Sequence, residues 1–210
     1  MSERTALDLL DPKAVRKRAR TVALGALIVA AAFGGLLGLL AGRTAGLVTA
    51  AVFAVPLLLL AWSEARRRVW LEGNVLSVRA FGTRSVDLHT ADQLDLLVTD
   101  VRGARTVGLF VRGGGKAINL ALAIYAGTGG REQGVLPLRR LADVLAGRGD
   151  APGLVFSELL VAQLRSEARG LAAADRPLYR LGSMAPTGRL AQKLTPEAVS
   201  RFVSTLNDGD

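Results

Sequence analysis

The pattern of apolar and polar positions divides the chain into an apolar N-terminal part and a mixed remainder. Residues 21–42 and 45–62 are two runs without a charged side chain, separated only by Arg43 and Thr44. A helix needs about 20 apolar residues to cross a bilayer core. The runs therefore predict a transmembrane hairpin of two antiparallel helices. Two alternatives are a buried hairpin of a soluble protein and a cleaved signal peptide, although an apolar signal region is shorter and has no second span.

Small residues recur at every fourth position of the first run. This spacing puts them on one helix face, where small side chains let two helix backbones approach closely in lipid. Two interpretations follow, packing within the hairpin and homodimerisation, and the short loop between the runs favours the first. The predicted helix-packing face consists of Ala26, Ala30, Gly34, Gly38 and Gly42.

After the hairpin, residues 63–146 show short alternating runs with turn residues between them. Gly73-Asn74 separates two such runs and predicts a two-residue β-hairpin of type I′. Pro137 begins a helical pattern that ends at Ala146. We therefore predict an α+β chain, in which the transmembrane hairpin is followed by a small antiparallel β-barrel or sandwich with C-terminal helices.

The C-terminal segment, residues 147–210, is predicted to be a helical tail. Residues 154–174 have a helical pattern, whereas residues 175–193 carry Pro, Gly and Ser and predict an irregular segment. Thr195-Pro196-Glu197 then marks a helix start. The helix presents an apolar face for docking on the domain, a partner or the membrane, formed by Val199, Phe202, Val203 and Leu206.

The chain has a formal net charge of +9, and basic residues flank its apolar runs. Residues 1–20 form a basic N-terminal segment, and the loop between the runs offers only Arg43. The positive-inside rule therefore predicts a multi-pass protein with both termini cytoplasmic. The Arg-, Ala- and Gly-heavy composition resembles that of high-GC bacterial proteins, so the expected location is the bacterial inner membrane. The same clusters are candidate contacts for anionic lipid headgroups; they are Lys13, Arg16, Lys17, Arg18, Arg20, Arg66, Arg67 and Arg68.

Residues 69–79, Val-Trp-Leu-Glu-Gly-Asn-Val-Leu-Ser-Val-Arg, and residues 82–88, Gly-Thr-Arg-Ser-Val-Asp-Leu, resemble the opening hairpins of bacterial PH-like (pleckstrin-homology-like) domains. In that family such a domain often follows a pair of transmembrane helices directly. The layout of residues 20–146 matches this arrangement, whereas the tail after Gly147 lies outside it. The resemblance implies a small barrel capped by a C-terminal helix, and it carries over no catalytic residues.

Residues with catalytic or metal-binding chemistry are scarce. The chain has no cysteine and one histidine, His89, which excludes the common zinc sites. The segment Arg112 to Ala117 lacks the first Gly and the Ser/Thr of a phosphate loop, and Glu132 replaces the third Gly of a dinucleotide-binding pattern. We therefore expect no catalytic residue, no cofactor and no metal, and we do not expect an enzyme.

These observations predict a function at the membrane. The leading hypothesis is a non-enzymatic scaffold or adaptor, whose cytoplasmic PH-like module binds a protein partner. The alternative is recognition of anionic lipid headgroups at the inner membrane face by the basic clusters. The expected partners are the membrane, an anionic phospholipid surface and an unidentified protein, but not nucleic acid, since the positive charge flanks the spans. Homo-oligomerisation through the small-residue face stays open.

Overall fold

The computed structural model is a mixed helix and sheet structure that describes residues 4–10, 12–80, 82–186 and 191–207. The chain forms two compact units. The hairpin unit contains residues 10–67 and 79–82. The α/β unit contains the described parts of residues 1–9, 68–78 and 83–210.

The hairpin unit consists of the helices α1 (Pro12–Ala41) and α2 (Arg43–Arg66), joined at Gly42, whose φ of 92° is accessible to glycine. Residues 15–41 and 43–66 have mean hydropathies of 2.3 and 2.2 and are long enough to cross a membrane. Only 17% and 11% of their most apolar windows are buried. This exposure disagrees with the alternative of a buried hairpin, because the helices of a soluble core are mostly covered.

Glycine makes the contact between α1 and α2 possible. A Cβ atom at Gly34 would lie 2.8 Å from the carbonyl oxygen of Gly46, and one at Gly46 would lie 2.6 Å from the Cα of Gly38. Phe33 and Phe53 stack beside this contact, with ring centroids 5.1 Å apart. The helix backbones therefore meet where neither carries a side chain.

The α/β unit contains two antiparallel sheets. One has the strand order β1-β2-β3-β4, and the other has the order β8-β7-β6-β5-β9. The strands are β1 (Arg4–Ala6), β2 (Arg68–Glu72), β3 (Val75–Arg79), β4 (Thr83–Asp87), β5 (Gln93–Val101), β6 (Ala104–Gly113), β7 (Lys116–Ala126), β8 (Gly129–Glu132) and β9 (Gln192–Leu194). A barrel or a sandwich was predicted, and the closed barrel is wrong because the strands divide between two sheets. The general α+β prediction is confirmed.

Three of these strands, β1, β8 and β9, come from segments for which no strand was predicted. The N-terminal segment supplies β1, which pairs with β2 and places Arg4 Nε 2.8 Å from Glu72 Oε2. Strand β8 lies in a segment that reads as a Gly-rich loop, and it pairs with the end of β7. Buried Gln133 follows β8 and donates from Nε2 to the carbonyl oxygen of Leu7 at 2.6 Å, which fixes the chain beside β1.

Glycines with positive φ occupy several tight turns of the α/β unit, but the turn type predicted at Gly73-Asn74 is wrong. Gly73 has a φ of 58°, but Asn74 is not among the residues with positive φ. Positive φ at the first central position alone is typical of type II′ rather than of the predicted type I′. Positive φ at both central positions occurs instead at Arg102-Gly103, between β5 and β6, and at Gly114-Gly115, between β6 and β7.

Helices cover the remaining core of the α/β unit. They are α3 (Val135–Ala146), α4 (Ala151–Ala168), a short 3₁₀ turn (Ala173–Asp175), α5 (Pro177–Ser183) and α6 (Pro196–Asn207). The helix predicted over residues 154–174 begins earlier and ends at Ala168. The segment predicted to be irregular, 175–193, contains α5 and the start of β9, and its residues 187–190 lie outside the described part.

Candidate functional site

An open groove of about 870 Å³ runs along the hairpin unit between the N-terminal half of α1 and the C-terminal half of α2. This volume lies in the range of small-molecule and cofactor sites. The lining residues come from both helices and are Arg16, Ala19, Arg20, Ala23, Val55, Leu58, Leu59, Ala61, Trp62, Ala65 and Arg66.

Four alanines form the depression. Ala19 and Ala23 are one turn apart on α1, and Ala61 and Ala65 are one turn apart on α2. Residues four apart share a helix face, so each helix contributes a strip of methyl groups where larger side chains would fill the space. Ala61 is only 7% exposed.

The groove becomes more apolar along α2. Arg66 lies at its end, Trp62 follows one turn earlier, and Leu59 and Val55 continue in the same direction. The guanidinium carbon of Arg66 lies 4.4 Å from the centroid of the Trp62 ring, a cation–π contact that holds the charge over the indole. The groove therefore passes from a cationic end through an amphipathic ring to an aliphatic wall.

Two further arginines on α1 complete the cationic end. Arg16 and Arg20 are exposed and four residues apart, so they lie on one face of α1. Among the described residues, no carboxylate lies within ion-pair distance of Arg16, Arg20 or Arg66. Three guanidinium groups at one end of an apolar groove can bind an anionic group while the aliphatic wall holds a hydrocarbon chain.

The other predicted basic contacts lie elsewhere. Lys17 is exposed but does not line the groove, and Arg67 caps the C-terminus of α2. Arg68 belongs to the α/β unit, where its Nε lies 3.9 Å from Asp8 Oδ2. Lys13 and Arg18 belong to α1, but their side chains lie outside the described part.

The predicted small-residue face faces α2 within the hairpin. Ala26 and Ala30 are buried, and Gly34 and Gly38 approach Gly46 as described above, whereas Gly42 forms the exposed turn. The predicted docking face of α6 is also covered within its own unit. Its buried side chains belong to the α/β core, to which α4 and β5 also contribute, and they are Val199, Phe202 and Val203, with Leu206 half-buried beside them.

Sequence reasoning missed the floor of the groove. The predicted every-fourth series begins at Ala26, and Ala19 precedes the uncharged run while Ala23 lies three rather than four residues before Ala26. Ala61 and Ala65 lie at the far end of α2 and belong to no such series.

The single histidine has a structural position. Its Nδ1 lies 3.2 Å from the side-chain nitrogen of Asn74, and its Nε2 lies 3.2 Å from the carbonyl oxygen of Val144. These partners suit a ring in which Nδ1 accepts and Nε2 donates. Among the described residues, no group of three or more His, Asp and Glu side chains could hold a metal ion.

Comparisons with protein families, curated proteins and solved structures found no match to this chain. The resemblance to PH-like domains therefore stays a prediction, and so does the bacterial origin that it implies.

Proposed function

We propose that the protein is anchored in a membrane by the hairpin unit and binds an anionic phospholipid in the groove between α1 and α2. The observation that carries this proposal is the joint placement of Arg16, Arg20 and Arg66 at one end of an alanine-floored apolar groove. Basic pockets between membrane helices on the cytoplasmic side are a known form of anionic headgroup site.

The order of the lining residues supports the same occupant. A phospholipid presents a phosphate, then a polar backbone, then an acyl chain, and the groove presents guanidinium, indole and aliphatic groups in that order. Indole rings favour this depth, because one side of the ring is polar and the other apolar. Arginine is suited to phosphate, since its planar fork can bind two oxygens together.

The proposal includes the predicted orientation. In this orientation, the basic residues at the N-terminal end of α1 and at the C-terminal end of α2 would both face the cytoplasm. Anionic lipids there give each basic residue about 1 kcal/mol of attraction. Recruitment of a protein partner by the α/β unit, which is the scaffold hypothesis, stays a prediction beside this one.

Tryptophan fluorescence gives a direct test, because the chain has two tryptophans and one of them, Trp62, lines the groove. The full chain carrying Trp70→Phe would be reconstituted in vesicles containing either brominated phosphatidylglycerol or brominated phosphatidylcholine as the minor lipid. We expect stronger quenching of Trp62 by the anionic lipid. Arg16→Gln with Arg20→Gln should remove that preference, which is worth about 2 kcal/mol at about 1 kcal/mol per basic residue.

The matched control is Lys17→Gln with Arg43→Gln, which removes two charges from the hairpin unit outside the groove. We expect it to keep the preference. A further variant, Ala23→Leu, fills the floor without changing the charge and should reduce quenching by both lipids. Equal quenching by the two lipids in the unmodified groove would overturn the proposal, and so would a preference that survives the loss of Arg16 and Arg20.

A further inference from the structure

A second cavity, of about 390 Å³, lies within the α/β unit. It is formed where the β5–β6 turn, the β7–β8 turn and α5 come together at one end of the five-stranded sheet. Gly182 allows α5 to lie close to the sheet, because a Cβ atom there would be 2.9 Å from a methyl group of Val107. The cavity is thus enclosed by ordered elements on several sides.

One wall of this cavity presents a guanidinium group that is already oriented. Arg105 Nε lies 3.3 Å from Asp100 Oδ2, and Asp100 Oδ1 accepts from the backbone N–H of Gly103 at 3.2 Å. The carboxylate therefore holds the inner edge of the guanidinium. Within the described part of the chain, the two terminal nitrogens of Arg105 have no hydrogen-bond partner.

Two aromatic rings line the cavity beside Arg105, because Tyr125 is the antiparallel partner of Arg105 on the neighbouring strand. Tyr125 and Tyr179 meet edge to face, with ring centroids 5.1 Å apart. The Tyr179 hydroxyl donates to the carbonyl oxygen of Gly127 at 3.1 Å. The Tyr125 hydroxyl donates to Glu132 Oε1 at 2.7 Å, and Arg176 lies 2.5 Å from the other oxygen of Glu132.

These hydrogen bonds occupy the hydroxyl protons of both phenols. Burial, followed by the hydrogen bond to Glu132, raises the pKa of Tyr125 far above its ordinary value. The hydroxyls are therefore committed to protein acceptors. Tyr125 is only 3% exposed, so the half-buried Tyr179 is the aromatic ring that the cavity can reach. Among the described lining side chains, the free donors are the terminal nitrogens of Arg105 and the hydroxyl group of Thr128.

We infer that this cavity is a binding site for a small organic carboxylate with a planar body. The carboxylate would accept two hydrogen bonds from the free edge of Arg105, a charge-assisted geometry that is stronger than a neutral hydrogen bond. The planar body would lie against the ring of Tyr179, which buried Tyr125 holds in place edge to face, since aromatic groups pack well in offset or edge-to-face arrangements. The cavity lies wholly within the α/β unit, and the inference does not rest on the function proposed for the hairpin unit.

Benzoate is the probe that tests this inference, and benzamide is its neutral counterpart of the same shape. Binding to the full chain in detergent micelles would be measured by saturation-transfer NMR and titration. We expect benzoate to bind at least about tenfold more tightly than benzamide, because its carboxylate can accept two charge-assisted hydrogen bonds from Arg105 and the neutral amide cannot.

Three variants separate this site from adventitious binding. Arg105→Gln should reduce benzoate affinity about tenfold or more, for the same reason. Arg112→Gln removes an exposed arginine from the same strand outside the cavity and should bind benzoate normally. Ser183→Trp places a large side chain at the cavity wall and should block binding, while circular dichroism reports that the fold is retained. No benzoate binding, or equal binding by Arg105→Gln and Arg112→Gln, would overturn the inference.

Discussion

The two units of this protein bury opposite kinds of residues. In the hairpin unit, the buried positions include Gly46, Ala26 and Ala30, while large side chains such as Leu39 and Leu40 are 88% and 76% exposed. In the α/β unit, the largest fully buried side chain is Phe156, and glycines with positive φ occupy turns. Large apolar side chains are therefore exposed in the hairpin unit and buried in the α/β unit.

The difference is the one expected if the hairpin unit lies in lipid and the α/β unit in water. Large apolar side chains inside a unit are favoured where water surrounds it, because burial removes their surface from water. Lipid tails are as apolar as leucine, so helices in a bilayer gain instead from close backbone packing, which small residues allow. The exposure of leucine in one unit and its burial in the other favour a boundary between lipid and water along this chain.

The comparison can be tested because each unit contains one tryptophan. Trp62 belongs to α2 and Trp70 to β2. Replacing either by Phe leaves the other as a reporter of its own unit. A substitution in one unit should leave the tryptophan signal of the other unit unchanged.

The largest expected effect comes from placing a charge in the core of the α/β unit. Phe202 is 7% exposed in the face that α6 buries, and the Arg180 guanidinium lies 5.8 Å from its ring centroid. We expect Phe202→Asp to destabilise the unit by about 3–5 kcal/mol, the usual cost of a buried charge without a full partner. Urea unfolding followed by Trp70 measures this change, and limited proteolysis should show cleavage near α6.

The control for this variant lies on the same helix. Ser204 is exposed on α6, so Ser204→Asp adds the same charge where water can solvate it and should change stability little. If both variants unfolded at the same urea concentration, the face of α6 would not be a core face. The rule of burial inside the α/β unit would then fail at this helix.

A smaller effect is expected from enlarging the glycine contact of the hairpin. A Cβ atom at Gly46 would lie 2.5 Å from the carbonyl oxygen of Gly34, and backbone atoms cannot move aside as a flexible side chain can. We expect Gly46→Leu to destabilise the hairpin by about 1–3 kcal/mol, as overpacking usually does. Thermal unfolding in mild detergent, followed by Trp62, measures the loss.

Gly35 provides the matched control, because a Cβ atom there would meet nothing within 4 Å. Gly35→Leu should leave the hairpin at least as stable, since leucine has the higher helix propensity. An equal loss of stability in Gly46→Leu and Gly35→Leu would show that the close approach of the two helices does not stabilise the hairpin. The contrast between the packing of the two units would then fail for the hairpin unit.

Much of the fold could be predicted from local pattern, since each apolar run, turn and amphipathic helix carries its own signal. The apolar runs gave the two hairpin helices, and Val199 with Phe202 marked the apolar face of α6. Pairing between distant segments carried no such signal. Strand β1 has only three residues and exists because β2 supplies its partners, and β8 begins at two glycines that local propensity disfavours in a strand.

The candidate groove could be predicted only in part for a related reason. Arg16, Arg20 and Arg66 were visible as charges beside apolar runs. Their meeting at one groove depends on how far apart α1 and α2 lie near Ala19 and Ala65, which no local pattern states. Likewise, the cavity beside Arg105 depends on α5 packing at the sheet end, and the sequence of α5 read as irregular because it begins with proline and contains glycine.

The smallest expected effect concerns pH, and it should appear in the α/β unit alone. Asp150 caps α4, since its Oδ1 accepts from the N–H of Gly153 at 2.9 Å, and Arg148 Nη2 lies 2.5 Å from its Oδ2. The hydrogen bond from Arg148 holds the pKa of the Asp150 carboxyl below its ordinary 3.8, against a smaller opposing effect of burial. The charged carboxylate therefore stabilises the folded state above pH 3.8, and this contribution is lost as pH falls through the lower folded pKa.

Asp150→Ala should cost about 1 kcal/mol at neutral pH, the usual value of a helix N-cap. Asp150→Asn keeps an acceptor for Gly153 and should cost less, because the carboxylate is 41% exposed and solvent weakens its ion pair. The gap between Asp150→Asn and the unmodified chain should close as pH falls below 3.8, when the carboxyl of the unmodified chain becomes protonated. Urea unfolding followed by Trp70 at several pH values measures the gap. A gap that stays constant through acid pH would place the contribution of Asp150 in hydrogen bonding alone.

The contact between α1 and α2 around Gly46 has no titratable group, so Trp62 should report the same hairpin stability for both chains at every pH.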